Sequence, residues 1–165
     1  MIRVGLIGCG GIAKTVLKHL PYASEGKAGV VGVICKPRRK ATIQGVVGEE
    51  VSVVEKLEDL LALSPHIVTE CAGHSAVSQF GENVLQTGTD LLVISTGALA
   101  DAKLHDRLKA AAAQSGSQIL LPAGAVGAMD ALIKSGGGPT AFGLAVGEWI
   151  EQWGLEAIDE LLLVQ

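Results

Sequence analysis

The chain has 165 residues, 17 of them acidic and 13 basic, with a formal net charge of −4 at pH 7 and 48% hydrophobic residues. That balance offers no basic surface for nucleic acid, and the longest apolar runs fall well short of the ~20 residues that cross a bilayer. Aromatics make up only 3%, so the core has to come from Val, Ile, Leu and Ala, the composition of strands buried on both faces. The N-terminal "MIRVGLIGCGG" runs from an apolar stretch straight into glycines, without a small-residue cleavage site. It reads as a strand, and the expected location is cytoplasmic. Cys9, Cys35 and Cys71 fit no zinc spacing and are expected to be reduced thiols, each at the C-terminal end of a strand.

In chain order, "IRVGLIG" (2–8) predicts a first strand and residues 12–20 an amphipathic helix. "GVVGVIC" (29–35) predicts a second strand, followed by an irregular basic segment. "VSVV" (51–54) leads into the helical "EKLEDLLAL", and "PHIVTECA" (65–72) into a helix over about 75–86. "DLLVIST" (90–96) precedes "DAKLHDRLKAAAAQSG", in which Asp101 has the position of an N-cap. "QILLPA" (118–123) precedes "GAMDALIK". Strand and helix thus alternate six times, and the strands are continuous apolar runs. The expected fold is α/β, a doubly wound parallel sheet of Rossmann type, with ligands at the carboxyl ends of the strands.

The first strand ends in Gly8-Cys9-Gly10-Gly11-Ile12-Ala13, which fits G-x-G-x-x-G/A. Gly8 suits the tight turn, Gly10 lets backbone approach a pyrophosphate, and Ala13 lets the helix pack close to the sheet. The N-terminus of that helix, from Gly11 and Ile12, offers free N–H groups and the positive end of a dipole. The second strand ends without the acid that holds a ribose 2′-hydroxyl; it runs into "CKPRRK" (35–40) instead. Lys36 and Arg38, with Arg39 and Lys40, suit a 2′-phosphate, so the expected cofactor is NADP or NAD, with a lean to NADP. "ECAGHSAV" (70–77) and "ISTGALAD" (94–101) end the fourth and fifth strands in small residues that face the same crevice. His74 is a candidate acid/base or hydrogen-bond partner of the cofactor. His19, His66 and His105 read as structural or solvated.

These stretches, with "LLPAGAVGAMDAL", resemble the NAD(P)-dependent L-aspartate dehydrogenases in order and spacing over about residues 2–133. The resemblance implies oxidative deamination of L-aspartate, a small-molecule substrate, to iminoaspartate and then oxaloacetate and ammonia, with a link to NAD biosynthesis. It also implies cofactor contacts at Gly10, Gly11 and Ile12 under the pyrophosphate. Cys71, Ala72, His74, Thr96, Gly97, Ala98 and Ala125 would line the path from adenosine to nicotinamide.

The resemblance stops near Lys134. Residues 1–134 form the expected dinucleotide-binding domain and hold all 13 Lys and Arg against 12 acids; residues 135–165 hold five acids and no base. That tail reads as a Gly-rich linker and an acidic amphipathic helix bearing Trp149 and Trp153, whose apolar stripe has to pack either back on its own domain or, as a docking element in a homo-oligomer, on another chain. The family's second domain, which supplies its catalytic histidine and a cofactor-binding asparagine, finds no match there. The expectation is a chain that binds NADP(H) with little turnover of its own. The alternative reading is a cofactor-binding subunit or sensor without catalysis.

Overall fold

In the computed structural model residues 1–122 are described. The strands are β1 (Ile2–Ile7), β2 (Ala28–Ile34), β3 (Ser52–Val54), β4 (Ile67–Glu70), β5 (Asp90–Val93) and β6 (Ile119–Leu120). The helices are α1 (Gly11–Ala23), α2 (Lys40–Val47), α3 (Leu57–Leu61), α4 (His74–Gln86) and α5 (Ala102–Ser115). The expected helix over 127–134, Ala125 and the tail over 135–165 lie outside the described residues.

All pairings are parallel, in the order β3-β2-β1-β4-β5-β6, so the chain reverses its direction of travel between β1 and β4. This is the doubly wound arrangement expected from the continuous apolar runs. Period-two alternation sends each strand's residues to two separate cores. Val4 and Leu6 of β1, Val33 of β2 and Val53 of β3 pack with Ala13 of α1 and Ile43 of α2. Ile7, Ile34 and Val68 face the other way, against Leu57 and Leu60 of α3, Val77 and Leu85 of α4, and Leu104 and Leu108 of α5.

The basic segment after β2 is more ordered than the sequence suggests. Pro37 opens a single 3-10 turn, Pro37–Arg39, and α2 follows at once. Proline at the first position of a turn fixes φ without forfeiting a needed donor, and Ile43 gives the short helix a side chain to bury. Gly48, at φ 78°, ends it. Asp101 caps α5 as its position predicts: Oδ1 accepts from the N–H groups of Lys103 and Leu104 at 2.9 and 3.2 Å.

Leu60 is fully buried and lies where the sheet carries no side chains. A Cβ on Gly32 would sit 2.8 Å from Leu60 Cδ1, and one on Gly5 3.1 Å away. The two glycines let α3 lie close to the sheet, and Leu60 fills the space. Leu60→Ala should therefore lower unfolding free energy by about 2–5 kcal/mol, read as an earlier urea midpoint at unchanged m; a loss below about 1 kcal/mol would contradict this packing.

Candidate cofactor cleft

A cleft of about 550 Å³ opens at the carboxyl ends of β2, β1 and β4. One wall is the turn after β1, Gly8 to Gly10; a second is Lys36 to Arg39 after β2; a third is Cys71 and Ala72 with Ser75 and Gln79 of α4. It lies at the point where the strand order reverses, the place where open parallel sheets bind ligands.

The first wall depends on Gly8. Its φ is +92°, and a Cβ there would lie 2.7 Å from Ala72 Cβ and 3.1 Å from the Cys71 carbonyl oxygen. Gly8 N–H donates to the Ile34 carbonyl at 2.9 Å, tying the turn to β2. Beyond it the space clears: a Cβ on Gly11 would meet nothing within 4 Å. Ile12 is half exposed and Ala13 fully buried against the sheet, so α1 presents its first turn outward on a close-packed base. The leading N–H groups of a helix have no intrahelical acceptor and attract anions. This cradle fits a pyrophosphate.

The second wall is cationic. Lys36, Arg38 and Arg39 are exposed and line the cleft, with no ion-pair partner among the described residues. Lys40 does not line it; its Nζ lies 3.8 Å from Glu55 Oε1. Glu55, at the end of β3, does line the cleft and was not anticipated as a site residue.

The third wall is set by Glu70, also missed in the sequence reading. Its side chain is fully buried at the end of β4. Oε1 accepts from the N–H groups of Ala72 and Gly73, both at 2.6 Å, and from Ser95 Oγ at 3.1 Å; Oε2 accepts from Ser95 N–H at 3.0 Å. One carboxylate thus fixes the segments that leave β4 and β5. The signal was present: an acid within an apolar strand that is buried on both faces has to be satisfied locally.

His74 opens α4 and is exposed; its Nε2 lies 2.8 Å from where a Gly97 Cβ would be, so the imidazole rests directly over Gly97. Thr96 and Gly97 are exposed in a 3-10 turn, Thr96–Ala100, while Ala98 is buried. The structure therefore brings Gly8, Gly10, Lys36, Arg38, Cys71 and Ala72 around one cleft; Gly11 and Ile12 follow directly on Gly10 but do not line it. His74, Thr96, Gly97 and Ala98 form a neighbouring group at the β5 end, joined to the cleft through Glu70.

All three cysteines are free and line the cleft. Burial, helped by the Glu70 and Cys9 side chains, pushes the Cys71 thiol up to about 11. Burial, then Glu55 and Cys9, also raises Cys35, against the opposing pull of Lys40 and Arg39. Both thiols stay neutral at pH 7, so they act as apolar lining rather than nucleophiles.

Comparison with known proteins agrees with the fold. Residues 8–122 match the family model described as "Homoserine dehydrogenase, NAD binding domain". The L-aspartate dehydrogenase of Ruegeria pomeroyi is 39% identical over 131 residues, 79% of this chain and 45% of that protein. The chain thus spans about half the length of the curated relatives it matches. Among solved structures, aspartate dehydrogenase from Thermotoga maritima superposes with TM-score 0.59 at 22% identity, over 80% of this chain and 50% of that one. The WlbA dehydrogenase from Bordetella pertussis, in complex with NADH and UDP-GlcNAcA, gives TM-score 0.64 at 19% identity, over 73% and 36%. At these identities the structural likenesses concern the fold.

Glu70→Ala leaves three N–H groups and a hydroxyl without their acceptor. It should cost at least about 3 kcal/mol in urea unfolding, since a hydrogen bond to a charged group contributes about 1.5–3 kcal/mol. Glu70→Gln, which keeps one acceptor oxygen, should lose less; equal and small losses for both would contradict the network.

Proposed function

The chain belongs to the family of homoserine dehydrogenase NAD-binding domains, and from that premise we propose that it is the cofactor-binding part of an NAD(P)-dependent L-aspartate dehydrogenase. One observation carries the choice of substrate: 131 residues of the chain are 39% identical to an L-aspartate dehydrogenase. In this reading residues 1–134 make up the dinucleotide-binding domain. The reduced cysteines support a cytoplasmic setting.

A nicotinamide dinucleotide held in this cleft would supply the acceptor for the hydride on Cα of L-aspartate, with a proton leaving the amino nitrogen to give iminoaspartate, which water would then hydrolyse to oxaloacetate and ammonia. The residues of this chain bind and orient. Gly8 and Gly10 keep the first wall free of side chains, and the first turn of α1 offers its N–H groups to the pyrophosphate. Lys36, Arg38 and Arg39 give the adenosine end a cationic lip suited to a 2′-phosphate. Ala72, held by the Glu70 network, and Cys71 beside it form an apolar part of the cleft wall. Thr96, Gly97 and His74 stand farther along, on the side where the nicotinamide half would extend. His74 is exposed there, a candidate acid/base or hydrogen-bond partner of the cofactor.

Fluorescence titration tests the reading. NADPH and NADH should each saturate the purified chain, and failure of both to bind overturns it. Any amino-acid-dependent reduction of the cofactor should follow L-aspartate rather than L-homoserine; the reverse order would move the substrate assignment. Arg38→Glu should weaken NADPH binding about tenfold or more while changing NADH far less, because a charge-assisted phosphate contact is replaced by repulsion. Equal effects on both cofactors would remove Arg38 from the phosphate site.

A further inference from the structure

The acid that grips a ribose in dinucleotide-binding sheets stands at the end of the second strand, and here that position is Cys35-Lys36. The neighbouring strand supplies one instead. In the parallel register Ile34 pairs with Val54, and Cys35 N–H donates to the Val54 carbonyl at 3.0 Å. Glu55 therefore lies beside Cys35, one strand spacing, ~4.8 Å, away from the usual position of the acid. It lines the same cleft as Lys36, Arg38 and Arg39.

Its only ion pair among the described residues is loose. Lys40 Nζ is 3.8 Å away, and the side chains are 51% and 40% exposed, for Lys40 and Glu55 respectively. Exposed pairs of this kind hold their partners weakly, so the carboxylate is available to a ligand while Lys40 offsets its charge. The Cys35 thiol registers the same neighbourhood, raised by Glu55 and lowered by Lys40 and Arg39.

We infer that Glu55 is a specificity-determining residue: it accepts the adenosine ribose hydroxyls of the unphosphorylated dinucleotide, while Lys36, Arg38 and Arg39 take the 2′-phosphate of the phosphorylated one. The inference rests on the dinucleotide reading above and adds to it a cleft built for both cofactor forms. Lys40 is the residue that makes the two modes compatible, because an uncompensated Glu55 would repel the phosphate.

The test is the ratio of dissociation constants, Kd(NADH)/Kd(NADPH), measured by fluorescence on the full chain. A ratio is insensitive to a general loss of stability. Glu55→Gln should raise it about tenfold, the order expected for one charge-assisted hydrogen bond, through weaker NADH binding. Lys40→Gln should lower it, by weakening NADPH more than NADH. A ratio within twofold of wild type in Glu55→Gln overturns the inference, as does a parallel loss of both cofactors. Absence of binding by the wild-type chain overturns the dinucleotide reading itself, and this inference with it.

Discussion

The buried carboxylate of Glu70 joins the ends of β4 and β5. Both of its oxygens accept hydrogen bonds, from two successive backbone N–H groups on one side and from the backbone and hydroxyl of Ser95 on the other. Burying an ionised group is costly unless its lone pairs are filled, and here they are: among the described residues no buried side-chain oxygen or nitrogen lacks a partner. The arrangement fixes Ala72, which in turn leaves room only for glycine at position 8. The β1 turn, the wall opposite it and the β5 end are thereby set by one side chain.

Around that constraint the fold supplies two chemical environments. Small residues and neutral thiols make the middle of the cleft apolar and sterically open, whereas its outer end is cationic. Strand order explains the division. β1 and β4 sit at the reversal point and contribute glycines and the Glu70-ordered turn, while β2 and β3, on the flank, contribute the basic turn and Glu55.

Much of this was legible in the residues. Continuous apolar strands dictated a two-sided core, and Leu6 and Ile7 show it, facing opposite layers. The glycine pattern placed the turn after β1, and Asp101 announced the start of α5. Three features escaped for physical reasons. Glu70 is one acid in an otherwise apolar run, and its importance lies in partners up to 25 residues away. Glu55 becomes a neighbour of the basic turn only through the pairing of β2 with β3, which is a tertiary fact. The α2 segment is basic at one end and glycine-bearing at the other, a composition that suggests irregular chain; Ile43 and the preceding proline turn decide otherwise.

In the proposed function, the cleft at the β1–β4 reversal holds a dinucleotide phosphate backbone on the first turn of α1. Hydrogen exchange of the full chain with and without saturating NADPH tests it most directly. The account predicts slowed exchange in peptides covering residues 9–13 and 71–75, weaker protection at 36–39, and no change in the body of α5. Saturable binding with unchanged exchange at 9–13, or protection centred on α5, would contradict it.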